Sequence, residues 1–317
     1  MIWNYIQEGK KRLAARNIQK IRGTETGNVV QQNREYIDSL QIEMRMIDAC
    51  SDPDTSFSFL GQQLSTPVMS AALSGLDNIR KNGMRVLAEG MKAAGSCVFV
   101  GIGSDNDLRR IVSAGAPTAK IIKPYRDHDR IFGKMEVAEQ AGCFAVGMDT
   151  SFFFGSQVGD RIIAADMVSP KTKEELAEFV RSTKLPFIAK GILSEKDADK
   201  VLEIGVSAIV VSSHSGSVMD YAVPPLRILP RIVKLVNGQI PILVDGDICH
   251  GSDVFKAIAL GADGVLCGRA LMAGMEMDGA DGVANVVNGI TDELRRIMGQ
   301  TGANSLRTID PTVLWMK

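Results

Sequence analysis

The chain has 317 residues, 45% of them hydrophobic, enough for one large core or two ordinary domains. Its 36 Lys and Arg against 37 Asp and Glu give a formal net charge of −1, so there is no electrostatic case for nucleic acid or an anionic membrane surface as partner. The five cysteines, Cys50, Cys97, Cys143, Cys249 and Cys267, form no CxxC pair or Cys/His cluster that would suggest a metal. They read as reduced, mostly buried thiols of a cytoplasmic protein.

The chain opens with "MIWNYIQEGKKRLAARNIQK", an amphipathic helical pattern without the apolar core of a signal peptide. No apolar run approaches the roughly 18 residues of a membrane span. Residues 1–60 are expected to form a helical and irregular extension, with "CSDPDTSFSFLGQQLST" placed to plug one end of the domain that fills 61–317.

From there one pattern repeats: a helical stretch ends in glycine and a short apolar run follows. It occurs at Gly95, Gly142, Gly205 and Gly261. Glycine just past a helix takes the left-handed conformation at little cost. An apolar run of four or five residues then reads as a strand buried on both faces. Such runs lie at 67–72, 97–101, 120–123, 144–148, 186–190, 208–212, 241–245 and 264–268. Helical patterns separate them at 105–114, 129–141, 172–183, 195–204 and 252–260. Eight parallel strands alternating with helices point to an α/β fold, a (β/α)₈ TIM barrel with an N-terminal helical extension. A doubly wound sheet would carry a Gly-rich loop after its first strand, and "SAALSGLDN" is not one. The long connection 149–171 is the natural lid.

Barrel active sites lie at the C-terminal ends of the strands. That rule selects Ala71, Ala72, Gly101, Lys123, Asp149, Lys190, Ser212 with His214, Asp245 with Gly246, and Gly268 with Arg269. The small residues of the first two strands leave room for a flat ligand. "DGDICHG" after strand seven and "GR" after strand eight suit a phosphate, bound by backbone N–H groups, helix N-termini and Arg269. Lys190 ends an apolar strand, where its charge is costly without an anion: it suits a Schiff base, a cofactor's negative charge, or an ion pair with Asp149 or Asp245. His214 stands just past strand six as a candidate base. His128 reads as solvated, and His250 as a neighbour of the phosphate site.

These residues resemble a known family. "FIAKGILSEKDADKVLEIGVSAIVVSSHSGSVMD" and "PILVDGDICHGSDVFKAIALGADGVLCGRALM" look like the FMN-dependent α-hydroxy-acid dehydrogenases and oxidases. The likeness extends to "DELRRIMGQTGANSL" and back to "TSFSFLGQQLSTPVMSAAL". It implies FMN as cofactor, a small-molecule substrate and a homo-oligomer, often a tetramer. By resemblance Lys190 lies by the flavin pyrimidine, Ser212 near the flavin, and His214 is the catalytic base. Asp245, Gly246 and Asp247 begin the phosphate loop, and Gly268 with Arg269 complete it. Ala71 lines the ring, and Tyr125 falls on an active-site tyrosine if one residue is inserted before it.

The departures from the family pattern are equally specific. Where the family reads Ser-Asn-His-Gly-Gly-Arg, this chain has Ser212-Ser213-His214-Ser215-Gly216-Ser217, so a substrate-clamping arginine is Ser217. A second, from a Gly-Arg-Arg segment, is lost at Gly155-Ser156-Gln157; Arg126, Arg161 and Lys123 are possible replacements. Lys123 stands for a glutamine, Asp149 for a threonine by its spacing from Gly142, and Gly101 for a serine. Cys249 takes the place of a phosphate-loop arginine. The expected function is FMN-dependent oxidation of a hydroxy-bearing small molecule, with His214 taking the proton. A flavin-dependent isomerase without net redox change, and a non-catalytic ligand-binding barrel, stand as rivals.

Overall fold

The computed structural model describes residues 2–18, 26–158 and 161–316, without the side chains of residues 157, 158, 161 and 163. Eight parallel strands form the central sheet: β1 (Val68–Ser70), β2 (Val98–Val100), β3 (Thr118–Ile122), β4 (Ala145–Asp149), β5 (Phe187–Ile192), β6 (Ala208–Val211), β7 (Ile242–Val244) and β8 (Gly264–Cys267). From β2 to β8 each strand pairs with its sequence neighbour, and β8 returns to β1 in the register Val265↔Val68 to Cys267↔Ser70. At the β1–β2 seam a side chain helps: Phe99 N–H donates to Ser70 Oγ at 2.9 Å. A bridge between Leu73 and Val100 continues the closure.

The helices are α1 (Ile2–Ala15), α2 (Asn28–Ser39), α3 (Gly83–Ala93), α4 (Asp105–Val112), α5 (His128–Ala141), α6 (Lys173–Arg181), α7 (Glu195–Glu203), α8 (Pro225–Val236), α9 (Gly251–Ala259) and α10 (Arg269–Gln300). Their starts follow local chemistry. Ser104, Asp127, Thr172 and Ser194 each accept a hydrogen bond from a backbone N–H of the first turn. Gly142 closes α5 at φ 83°, a conformation that disfavours any side chain.

Strand periodicity separates two apolar sets. Met69, Phe99, Ile121, Ala145, Ile188, Val210, Leu243 and Leu266 fill the barrel interior, while Val68, Val98, Ile122, Val146, Ala189, Ile209, Val244 and Val265 meet the helices. The interior is plugged at its N-terminal end by an antiparallel hairpin, Phe57–Phe59 with Gln62–Leu64. Phe59 is fully buried and packs on Phe57, Phe99 and Phe144. The segment expected to be irregular thus contains a regular hairpin, which straddles the expected boundary after residue 60.

The extension wraps the barrel rather than leading away from it. Helix α1 lies on α10 so closely that a Cβ on Gly9 would meet the Ala273 carbonyl oxygen at 2.4 Å. Helix α2 is tied to the barrel by Arg34, which donates to both oxygens of buried Asp253 at 3.1 and 2.8 Å. In the connection after β4, Ser156–Val158 pairs antiparallel with Arg161–Ile163 as a small hairpin. Among the described residues no helix is long and apolar enough to cross a membrane.

Candidate active site

The period of two that fills the barrel also builds its mouth. Two residues beyond the inward-facing Met69, Phe99, Ile121, Ile188, Val210, Leu243 and Leu266 come Ala71, Gly101, Lys123, Lys190, Ser212, Asp245 and Gly268. Asp149 follows Ala145 in the same phase. Every strand thus delivers one expected residue to the top interior layer. Lys123, Asp149, Lys190, Ser212 and Asp245 are all buried there. Ala72 lines the same rim: a Cβ on Gly101 would stand 2.9 Å from its carbonyl oxygen.

The charged side chains form two linked clusters. In the first, Lys190 Nζ donates to Ser212 Oγ at 3.0 Å, Ser212 donates to Asp245 Oδ2 at 2.7 Å, and Lys190 lies 3.3 Å from that oxygen. Burial pulls the Lys190 ammonium toward the neutral form, but Asp245 and Asp149 reverse this and hold its pKa above the usual lysine value. In the second, Asp149 Oδ2 takes Lys123 Nζ at 2.7 Å and stands 3.0 Å from His214 Nδ1, while Ser151 donates to Asp149 Oδ1 at 2.8 Å. Burial would raise the Asp149 carboxyl; His214, Lys123 and Lys190 together outweigh it and keep the group well below the usual carboxylate range. The His214 imidazole moves down from its ordinary value, mainly through burial, with Asp149 opposing. Burial likewise lowers Lys123, against the pull of Asp149.

His214 is held in an uncommon conformation. It and Ser215 have φ of 52° and 51°, the left-handed region that non-glycine residues seldom occupy. Ser217 fixes the turn, donating from both N–H and Oγ to the His214 carbonyl at 3.0 and 2.8 Å. The Phe152 ring lies 5.6 Å from the imidazole and 3.6 Å below Lys123 Nζ.

Several expectations change. Asp149, expected at the flavin, is set against His214 and Lys123. Of the readings of Lys190, the ion pair is the one seen, with Asp245 at 3.3 Å. His128 is not simply solvated: its ring packs edge-on against Phe179 and its Nε2 is 3.1 Å from Glu175. His250 turns to Trp3, ring centroids 4.4 Å apart, and to Glu293. Tyr125 is buried at the lid base, bridged to Val168 with the Arg130 guanidinium over its ring. Arg126 donates to the Val168 carbonyl at 2.9 Å. The side chains of Gln157 and Arg161 lie outside the described residues. Four cysteines are buried, as expected, whereas Cys50 is only half-buried.

The residues present fit FMN. Among the described residues, five side chains around the mouth carry buried polar atoms with no hydrogen-bond partner: Ser213 Oγ, Asp245 Oδ1, Arg269 Nη2, both amide atoms of Asn33, and His214 Nδ1, which lies 3.0 Å from Asp149 Oδ2 without hydrogen-bond geometry. Such atoms cost free energy unless a ligand or water meets them. Ala71, Ala72 and Gly101 would leave space for the ring, Lys190 and Ser212 would give it polar contacts, and Gly246, Asp247, Gly268 and Arg269 would surround the phosphate end. Sequence reasoning missed Asn33, because nothing local in α2 ties it to a loop some two hundred residues away.

A family described as FMN-dependent dehydrogenase matches residues 10–156 and 155–316. The chain is 30% identical over 317 aligned residues to 4-hydroxymandelate oxidase of Amycolatopsis orientalis, covering 90% of this chain and 88% of that protein. It is 28% identical to L-lactate oxidase of Lactobacillus jensenii, covering 90% and 78%. A structure of mandelate oxidase with benzoyl-formic acid superposes with a TM-score of 0.90 at 27% identity, covering all of this chain and 98% of that one. Fold, mouth and matches agree, and the chain belongs to the FMN-dependent dehydrogenase family.

Proposed function

We propose that the protein oxidises a small α-hydroxy carbonyl compound whose acid group is masked as an amide or ester, with His214 as the base. The observation that carries the substrate reading is the charge balance of the mouth. Two buried cations, Lys123 and Lys190, face two buried anions, Asp149 and Asp245, and each is already paired. Arg126 and Arg130 are engaged by the Val168 carbonyl and the Tyr125 ring. Among the described side chains, a free carboxylate entering beside Lys123 and Lys190 would compete with Asp149 and Asp245 for the cations they already hold, which is costly.

His214 is neutral near pH 7 because its pKa is lowered, so it can accept the substrate proton. Asp149 holds the imidazole from Nδ1, leaving Nε2 for the substrate and stabilising the imidazolium once formed. FMN held at this mouth would supply the acceptor for the electron pair that leaves the substrate carbon. Lys190 keeps a positive charge at the floor of the mouth where negative charge develops. Tyr125 stands at the lid base as a further candidate for substrate contact. The closed Lys123–Asp149–His214 cluster supports this redox role over isomerisation, which would need a free acid beside the base.

The comparisons suit α-hydroxy oxidation, since relatives are named for lactate and 4-hydroxymandelate; both are free acids, so the masked acid group sets this chain apart from them. The test is anaerobic mixing of the FMN-loaded protein with matched pairs, mandelate and mandelamide, lactate and lactamide. The amides should bleach the flavin faster; faster bleaching by the free acids would overturn the substrate reading. We further propose a cytoplasmic homo-oligomer, a tetramer by resemblance. The five free cysteines and the exposed Met44, Met46, Ile47, Trp315 and Met316 support it, and sedimentation of the pure protein tests the assembly.

A further inference from the structure

The loop from Asp245 to His250 is surrounded by groups that come from far away in sequence. Gly246 and Asp247 have φ of 127° and 63°, a sharp turn that faces the start of α10. Asp247 Oδ1 lies 3.5 Å from Arg269 Nη2 and 4.0 Å from Lys10 Nζ. Lys10, on α1, also donates to Cys249 Sγ at 3.4 Å. Asn33, on α2, is 1% exposed, and neither of its amide atoms has a hydrogen-bond partner. Its Nδ2 would stand only 3.3 Å from a Cβ on Gly246. The loops after strands seven and eight, with the helix N-termini that follow, are the usual phosphate end of this barrel.

Charge counting shows what the loop lacks. Arg269 alone is cancelled by Asp247, and Asp245 is engaged by Lys190. A phosphate dianion would then meet no net positive charge. Lys10 restores one, and the Asn33 amide supplies a buried donor. We propose that Lys10 and Asn33, both from the N-terminal extension, form part of the site for the FMN phosphate, with Asp247 competing against the phosphate for Lys10 and Arg269. The inference rests on the FMN reading and adds to it that the extension is a working part of the cofactor site.

Riboflavin shares the ring of FMN and lacks the phosphate, so the pair isolates the phosphate contribution. Apoprotein prepared from the purified holoenzyme is titrated with each, following flavin fluorescence. Lys10→Met is expected to weaken FMN binding by about 10- to 100-fold, the range of a charge-assisted contact, and to leave riboflavin binding unchanged. Lys10→Arg should keep the preference for FMN. Asp247→Asn should tighten FMN and leave riboflavin alone; since it removes a charge without changing shape, it serves as a second, independent arm. Equal loss of both flavins in Lys10→Met would show a packing role for α1 and overturn the proposal, as would no change in either. Wild-type apoprotein that binds neither flavin would overturn the FMN reading instead.

Discussion

His214 Nδ1 lies 3.0 Å from Asp149 Oδ2, joining the turn after β6 to the end of β4. The contact couples two titrations. Asp149 favours the charged imidazole, and Lys123 disfavours it. Asp149→Asn should therefore move the acidic limb of the kcat/KM profile to lower pH while kcat falls. Lys123→Met should move the same limb to higher pH. A limb that stays in place in both variants would show that His214 is not the titrating base.

Acid stability should reflect the same pair. The His214 pKa is lowered in the fold, so the unfolded chain takes up its proton first, and stability declines as pH drops below about 6.5, the ordinary histidine value. The Asp149 carboxyl is also lowered, so its contribution is complete above the ordinary carboxylate range and is lost as pH falls through the depressed value. Thermal melts between pH 7 and pH 3 should show both declines, and His214→Gln should remove the first. An unchanged melt profile in that variant would contradict the assignment.

Lys190→Met should damage both the fold and the redox poise. It leaves Asp245 buried without its cation, at a cost of about 3–5 kcal/mol. It also removes a positive charge from the flavin end of the mouth, so the FMN midpoint potential should become more negative. Chemical denaturation and a spectroelectrochemical titration read the two effects separately.

Ser217 offers the complementary gain. Its hydroxyl is spent on the His214 carbonyl, and no guanidinium reaches the substrate from this turn. Ser217→Arg should raise kcat/KM for free α-hydroxy acids relative to their amides. A selectivity ratio unmoved by the new cation would argue that the acid group is recognised elsewhere, for example from the lid.

Phe59→Ala tests the plug. The ring is fully buried among Phe57, Phe99 and Phe144, and its removal should cost about 3–5 kcal/mol of stability without touching the mouth. Denaturant midpoints together with flavin binding should separate the two ends of the barrel.

Much of this was legible in the chain itself. Glycine-ended helices and short apolar runs mark the strands to within a few residues, and strand parity carries Lys123, Asp149, Lys190, Ser212 and Asp245 into the mouth. What escaped was contact between distant segments. Asp149 reads by spacing as a flavin neighbour, yet its partner His214 is set by a left-handed turn that no local pattern announces in a non-glycine residue. Lys10 and Asn33 lie in ordinary amphipathic helices, and only packing of the extension brings them to the phosphate loop. The plug hairpin lacks an Asn-Gly or Asp-Gly signal; its turn runs through Leu60 and Gly61, so its regularity was hidden.

The decisive measurement is anaerobic flavin reduction by a turned-over α-hydroxy compound in wild type and in His214→Gln, both loaded with FMN. The variant should keep the flavin spectrum and slow reduction by about 10²–10⁴-fold, the usual contribution of a positioned base. Reduction of the variant at the wild-type rate would contradict the role of His214 as the base.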